Sequence, residues 1–249
     1  FPTRRSSDLT QAKMNSIKNR FYVPNNTALI LSGDITPARG FQLAEQIFGD
    51  WPRGANPFVT PAPNPPALTK SSAVIVEQPV NGAALYMAWR GPSVTADPAA
   101  TWAADALSTI LSNPASTFQK RLVDSGLTFG VGLSYYTQAH IGPITVFAQT
   151  TPDKALAAEK AIMAEIVKLG DVNYITPQEL KAAQTQLGIQ ALYQREQASE
   201  YAHTVGFWWA VTGLDYYRNY VPNMQKLTRA DIARSVKKYL IGKPHVIGL

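Results

Sequence analysis

The first 51 residues contain a weak helical pattern, a short apolar run and a clear amphipathic helix. Residues 10–19 have the weak helical pattern. Residues 28–32 (Ala-Leu-Ile-Leu-Ser) lie between an asparagine pair and a Gly-Asp pair, which favours a short buried strand. Thr36 and Pro37 then provide an N-cap and a first-turn proline for a helix whose apolar positions run through residues 41–48. The pattern therefore predicts a strand, a turn and a helix before residue 51.

A proline-rich segment separates this region from the rest of the chain. Six prolines lie between residues 51 and 66, and the segment has no hydrophobic periodicity. Such a composition is typical of an extended, semi-rigid connection, so we place a domain boundary there. The opening residues 1–9 are polar and basic and also lack periodicity, and we interpret them as a non-native leader.

The remaining pattern predicts strands followed by helices. Strands are predicted at 72–77, 83–90, 127–136, 141–150 and 245–249. Helices are predicted after the Asp97-Pro98 start, at 116–124, at 154–169, from the capping box at Thr176 past residue 202, and from Thr228 onward. Three or four helices are thus expected to close the chain. This order predicts an α+β fold in which helices pack on one face of a mainly antiparallel sheet.

Composition agrees with a folded protein and limits the classes of function. The chain has 249 residues, 45% of them hydrophobic, enough for one large domain or one and a half smaller ones. No apolar run reaches the roughly 18 residues of a membrane span, so we expect none. The formal net charge is +6. From Arg218 onward there is one acid, Asp231, and there are seven cationic residues: Arg218, Lys226, Arg229, Arg234, Lys237, Lys238 and Lys243.

These cations have a plain interpretation and two functional ones. A solvated helix face with cations near the helix C-terminus is favoured, because the helix dipole stabilises positive charge there. An acidic peptide partner is the next interpretation, and binding to nucleic acid or a membrane surface is the weakest. Since no recognised nucleic-acid motif accompanies the charge, we expect no nucleic-acid partner.

Few residues in the chain are suited to metal binding or histidine catalysis. There is no Cys, and the three His (His140, His203 and His245) are far apart in sequence. Glu200 and His203 are three residues apart on a predicted helix and could share a face, but a solvated His beside an acid is the ordinary outcome. We therefore predict no metal ligands and no catalytic residues in this chain.

Several short motifs occur in the order and spacing of one known family. They are Phe-Tyr-Val-Pro-Asn-Asn at 21–26, the run 28–34 ending in Ser-Gly-Asp, and Phe-Gly-Asp-Trp-Pro at 48–52. Weaker matches follow at Phe118-Gln119 with Ser125-Gly126-Leu127, Thr176-Pro177 with Glu179-Leu180, Leu227-Thr228 with Asp231-Ile232, and Lys238-Tyr239-Leu240. On these residues, from about Ile17 to the end, the chain resembles the insulinase (pitrilysin) zinc metallopeptidases, in the half that holds no zinc.

The resemblance implies a division of the chain and a role for it. Residues 10–51 would be the tail of an N-terminal peptidase-like domain, 52–70 a linker, and 71–249 a C-terminal insulinase-like domain. Catalysis in the family uses an H-x-x-E-H zinc motif, which this chain lacks and which the resemblance places upstream of residue 1. The chain would enclose a peptide or unfolded polypeptide together with the missing N-terminal half, would need no cofactor itself, and would be inert alone. A periplasmic or secreted location fits the family.

A second hypothesis keeps the fold and changes the role. The chain could be a non-catalytic partner or scaffold subunit that never had a zinc motif. The reading frame upstream of the chain would separate these two hypotheses, because an H-x-x-E-H motif there would make the whole protein a peptidase.

The resemblance also indicates two candidate substrate-binding residues, Arg121 and Phe129. Family members contribute an Arg and a Tyr to the substrate from the second domain. Alignment on Gly126-Leu127 puts the tyrosine position on Phe129 and the arginine position on Leu122, with Arg121 adjacent. Phe129 has no hydroxyl to donate to an oxyanion. Both departures fit two-subunit members, in which a related zinc-bearing or Arg/Tyr-bearing chain completes the site.

A group of aromatic residues near the C-terminus has two interpretations. Its members are Phe207, Trp208, Trp209, Tyr216, Tyr217 and Tyr220. They could form a wall that contacts a peptide. Packing between two helices is the favoured interpretation, because large rings fill such gaps well.

Overall fold

The computed structural model describes residues 9–60 and 65–249. Most of the predicted leader, residues 1–8, and residues 61–64 of the predicted linker lie outside the described part. The chain divides into two compact units. Residues 1–65 and 197–206 form the first, and residues 66–196 and 207–249 form the second. Each is described separately below.

The part of the first unit before residue 61 contains two α-helices, and the segment between them is irregular apart from one short 3-10 helix, Pro24–Asn26. Helix α1 spans Gln11–Phe21 and α2 spans Pro37–Phe48. Each is capped by a threonine: Thr10 accepts a hydrogen bond from the Lys13 backbone N–H, and Thr36 accepts one from Arg39. The predicted helix of residues 41–48 is therefore confirmed, including its proline at the first position.

The predicted strand at residues 28–32 is wrong. The structure assigns no strand there, and both Leu29 and Leu31 are about half exposed. A strand exists only where its N–H and C=O groups pair with a neighbouring strand, and none of the described strands pairs with this segment. The apolar sequence favours an extended backbone, but the sheet that would pair with it is not among the described residues.

Close contacts hold this irregular segment against two helices of the first unit. A Cβ added at Gly40 of α2 would lie 3.2 Å from Cδ1 of Leu31, and one at Gly206 would lie 3.2 Å from Cδ1 of Ile30. Gly206 belongs to a helix from much later in the chain, which is why residues 197–206 belong to this unit. Glycines at both positions allow the apolar segment to approach the helices closely.

The second unit is built on a five-stranded sheet. Its strands are β1 (Ser72–Val74), β2 (Ala83–Arg90), β3 (Gly130–Tyr135), β4 (Pro143–Thr150) and β5 (His245–Gly248), in the order β1-β5-β2-β4-β3. The β1–β5 pair is parallel and the other three pairs are antiparallel. The prediction of a mainly antiparallel sheet is confirmed, and β2 has the predicted bounds.

Seven further helices follow β2 in the described residues. They are α3 (Pro98–Leu111), α4 (Thr117–Val123), α5 (Ala155–Lys168), α6 (Pro177–Tyr193), α7 (Ala198–Val211), α8 (Leu214–Lys226) and α9 (Arg229–Tyr239). The predicted capping box at Thr176 is confirmed, because its hydroxyl accepts from the Glu179 N–H while Glu179 accepts from the Thr176 N–H.

Two expectations about the closing helices are wrong. The helix from Thr176 ends at Tyr193 and does not continue past residue 202, because Arg195 and Glu196 make tighter bonds to the carbonyls three residues back. Five helices, not three or four, follow β4 within the described residues, since α8 was not predicted. Pro222 lies inside α8, and a proline within a helix is usually unfavourable, so the sequence pattern did not indicate a helix there.

One face of the sheet packs against helices and the other is more exposed. On β2, Leu85, Met87 and Trp89 are at most 2% exposed, whereas Tyr86 between them is 54% exposed. The buried face joins a single core that includes residues of α3, α4, α5, α6 and α9. This alternation is the one predicted for a sheet covered on one side. Among the described residues, no helix is long and apolar enough to cross a membrane.

Candidate functional site

Arg121 lies on α4 and is held by a carboxylate. Its guanidinium Nη1 lies 3.2 Å from Oε2 of Glu165 on α5, and the guanidinium carbon lies 5.2 Å from the ring centre of Tyr174. The Arg121 side chain is 48% exposed. A cation with this exposure retains free N–H donors, so the geometry leaves room for a further contact.

Glu165 is the centre of this cluster and is buried. It accepts hydrogen bonds from Lys168 at 2.6 Å and from the Tyr174 hydroxyl at 2.5 Å, besides the one from Arg121. Burial by itself would raise the pKa of Glu165, but the hydrogen bonds from Lys168, Tyr174 and Arg121 together lower it. The carboxylate therefore stays ionised and joins α4, α5 and the segment after α5.

Phe129 lies just before β3 and is two-thirds exposed. Its backbone N–H donates to the Gln149 carbonyl at 2.8 Å, which extends the β3–β4 pairing by one residue. Leu122, at the family's arginine position, is only 1% exposed and belongs to the core. Across the described ranges, no hydrogen bond, ion pair or ring contact joins Arg121 to Phe129. The two candidates stay predictions.

The described residues do not fit the zinc ion that the resemblance implies. They contain no group of three or more His, Asp or Glu side chains arranged to hold a metal ion. Glu200 and His203 lie on α7 and are both exposed. The His245 ring stacks on the Trp89 ring, with 4.9 Å between the ring centres. No catalytic step through zinc can be derived from this chain.

The aromatic residues near the C-terminus pack together on α7 and α8. The Trp208 ring lies 5.2 Å from Tyr216, 6.3 Å from Tyr217 and 5.8 Å from Tyr220, measured between ring centres. These rings are partly buried, as the packing interpretation requires. Some of them also line a cavity of about 470 Å³ that extends to α3, α6 and β3. The aromatic residues therefore pack against each other, and some of them also form part of a cavity wall.

Asp105 lies in the wall of that cavity and was not singled out from the sequence. The Tyr220 hydroxyl donates to its Oδ2 at 2.9 Å. Burial raises the pKa of Asp105 to about 7, although the Tyr220 hydrogen bond acts in the opposite direction. The available signal was an acid inside the apolar stripe of α3, which is uncommon unless the acid has a partner.

Some of the C-terminal cations are paired with acids. Arg218 lies 3.4 Å from Asp215, Arg234 lies 3.0 Å from Asp231, and Lys238 lies 2.6 Å from Asp97. These pairs reduce the positive charge available to a polyanion, which agrees with the solvated-face interpretation.

Comparison with known proteins identifies the family. The family model described as "Peptidase M16 inactive domain" matches residues 8–187, well over half of the chain. The chain belongs to the peptidase M16 inactive-domain family. The predicted resemblance to the insulinase or pitrilysin metallopeptidases is thereby confirmed. No curated protein matches the chain.

Solved structures of proteases and of an M16 inactive domain share this fold at low sequence identity. A protease from Helicobacter pylori is 20% identical with a TM-score of 0.87, and the match covers 97% of this chain and 59% of that one. A peptidase M16 inactive domain from Pseudomonas fluorescens is 22% identical with a TM-score of 0.71, covering 87% and 51%. The periplasmic protease PqqL from Escherichia coli is 16% identical with a TM-score of 0.65, covering 87% and 24%. The chain therefore spans little more than half, or less, of these proteins.

Proposed function

We propose that this chain is the C-terminal, substrate-enclosing half of an insulinase-like zinc metallopeptidase. It contributes peptide binding and closure, while zinc is bound by an N-terminal half that precedes it. The substrate is a peptide or an unfolded polypeptide, and the compartment is periplasmic or the protein is secreted. Membership of the M16 inactive-domain family supports the assignment, and the observation that carries it is the architecture of the first unit.

The first unit repeats the closing elements of the second. Helices α1 and α9 each have 11 residues, and each is capped by a threonine whose Oγ1 lies 3.2 Å from the third backbone N–H. A short turn follows both helices, and then an apolar segment: residues 28–32 after α1, and β5 after α9. In the second unit β5 lies between β1 and β2 in the sheet. By this correspondence residues 28–32, although they form no strand here, occupy the position in the order of elements that β5 occupies in the second unit.

The exposure of this unit supports the same assignment. Leu29 is 52% exposed, Leu31 48%, Phe41 78% and Ile47 66%. Leu29, Leu31 and Phe41 line one apolar cavity of about 370 Å³. Large apolar side chains in such a group mark a surface that another polypeptide covers. On this proposal residues 10–51 are the tail of the N-terminal domain, 52–70 are the linker, and 71–249 are the C-terminal domain.

A non-catalytic partner or scaffold subunit is the second candidate. Leu122 is buried in the core and Phe129 has no hydroxyl, so the family's Arg and Tyr are both replaced. A chain with these residues would depend on a related Arg/Tyr-bearing subunit for any substrate contact of that kind. Both candidates predict an association with another M16 half, which precedes this one in the first candidate and is a separate subunit in the second.

Association with a zinc-bearing half tests the proposal. The partner is an M16 half with an H-x-x-E-H motif from the same genome, and the complex is measured by sedimentation velocity. We expect a one-to-one complex that Leu29→Asp weakens by about 10-fold, because Leu29, half exposed in this chain, would be buried in the complex and a charge would replace it there. Leu192→Asp, at a leucine of α6 that is 63% exposed, is the control and should leave the complex unchanged. No complex, or equal effects of both variants, would contradict the proposal.

A further inference from the structure

The cavity beside Asp105 contains features that packing alone does not explain. Asp105 of α3 contributes a carboxylate, and Trp208, Tyr217 and Tyr220 contribute aromatic rings from α7 and α8. Its volume of about 470 Å³ lies within the usual range for small-molecule and side-chain sites. All the residues named here belong to the second unit.

Two polar groups in this wall have unused hydrogen-bonding capacity. The Asp105 carboxyl group accepts from Tyr220 through Oδ2, and a carboxyl group can accept more than one hydrogen bond. The Tyr217 hydroxyl is fully buried and has no hydrogen-bond partner in the same part of the chain. Buried polar groups are normally satisfied, so the unpartnered Tyr217 hydroxyl indicates a ligand with a hydrogen-bonding group.

The charge in the wall selects a cation over other ligands. Within the described part of the chain, Asp105 is buried without a counter-charge and favours its neutral form, so a bound cation would stabilise the ionised carboxylate, whereas an anion would be repelled by it. Aromatic faces attract cations through their ring quadrupole. Arg195 and Arg218 also border the cavity, but both side chains are exposed to solvent, and Arg218 is paired with Asp215. Exposed charges are screened, so the buried acid dominates.

We propose that this cavity binds an alkylammonium group, the lysine side chain of a peptide, with Asp105 as its counter-charge. The ammonium donates to Asp105 Oδ1 and to the Tyr217 hydroxyl, and the methylenes lie against the rings of Trp208 and Tyr220. This inference deepens the proposed function, on which it rests, by naming a residue type of the substrate. The site lies away from Arg121 and Phe129 in sequence and uses neither of them.

The test compares three small ligands on the full chain. They are the Nα-acetyl N-methylamides of lysine, of norleucine and of glutamate, titrated while the indole N–H signal of Trp208 is followed by NMR. We expect the lysine ligand to shift that signal and to bind at least about 10-fold more tightly than either of the others. Equal binding of lysine and norleucine, tighter binding of glutamate, or no shift at Trp208 would overturn the proposal.

Two variants and a control locate the site. Asp105→Asn should weaken lysine binding by about 10-fold, and Tyr217→Phe, which removes only the unpartnered hydroxyl, by about 3-fold. Asp153→Asn, at an exposed acid of the same unit, should change nothing. Circular dichroism confirms that each variant is folded. If Asp105→Asn and Tyr217→Phe both bind lysine as the native chain does, the proposal fails.

The outcome is separable from that of the proposed function. If the chain binds lysine but forms no complex with a zinc-bearing half, the lysine site is supported and the peptidase role is contradicted. If the complex forms but the chain shows no preference for lysine, the peptidase role is supported and the lysine site is contradicted.

Discussion

The Tyr220 hydroxyl donates a 2.9 Å hydrogen bond to Oδ2 of Asp105. The bond joins α8 to α3 across the aromatic cavity, although the two residues are 115 positions apart in sequence. Burial raises the pKa of Asp105 to about 7 despite this bond. The fold therefore favours the neutral acid, and ionisation of Asp105 is coupled to its stability.

Asp105→Asn should make stability less dependent on pH. Because the pKa of Asp105 is raised from 3.8, the stability it contributes is complete below about pH 4 and is lost as the pH rises through 7. Asparagine cannot ionise. The free energy of unfolding of the variant minus that of the native chain should therefore increase from pH 5 to pH 8, by up to about 1.4 kcal/mol per pH unit. Urea unfolding at four pH values measures this. A difference that is constant with pH would contradict the coupling.

Glu165→Gln should destabilise the second unit by about 1 to 3 kcal/mol at pH 7, because a buried acceptor of three donors loses its charge. The pKa of Glu165 is lowered, so its contribution is present above the unfolded value and is lost as the pH falls. The effect should therefore shrink at pH 4. Glu196→Gln, at an exposed acid, is the control, and an equal loss in that variant would contradict the account.

The same cluster offers a test of Arg121 as a substrate contact. Arg121→Ala and Lys168→Ala each remove one cation from Glu165 and should each cost about 1 kcal/mol or less, since both side chains are half exposed. In the assembled enzyme, only Arg121→Ala should weaken peptide binding, measured by fluorescence anisotropy. Equal effects of the two variants would assign Arg121 a structural role alone.

Phe129→Tyr in the assembled enzyme should change turnover by less than about 3-fold. The Phe129 ring is 67% exposed in this chain, so an added hydroxyl has access to water. If Phe129 instead faced a developing oxyanion, the new donor would be worth about 2.7 to 4 kcal/mol. A rise in kcat of about 100-fold would therefore contradict the partner-subunit interpretation of this position.

Local signals in the sequence predicted most of the second unit. The β2 bounds followed from the alternation of Leu85, Met87 and Trp89 with more exposed residues, and helix starts followed from caps such as Thr176. Pairing partners are not local, so residues 28–32 looked like a strand although no described strand pairs with them. Their apolar character was predicted correctly and their secondary structure was not.

The cavity could not be predicted from the sequence because its wall comes from five separate elements. Asp105 precedes Tyr220 by more than a hundred residues, and each residue alone has an ordinary interpretation. The spacing of Tyr216 and Tyr220 at i and i+4 was visible, but α8 itself was missed because of Pro222. The family motifs, in contrast, are short and ordered along the chain, and they were sufficient to identify the fold.

The central claim is that this chain completes a peptidase whose zinc lies elsewhere, and a cleavage assay tests it most directly. A quenched fluorescent peptide is incubated with the chain, with an M16 half that carries H-x-x-E-H, and with both. The account predicts no cleavage by the chain alone and a rate with both that exceeds the zinc-bearing half alone by at least about 10-fold. Cleavage by the chain alone, or an equal rate with and without it, would contradict the account.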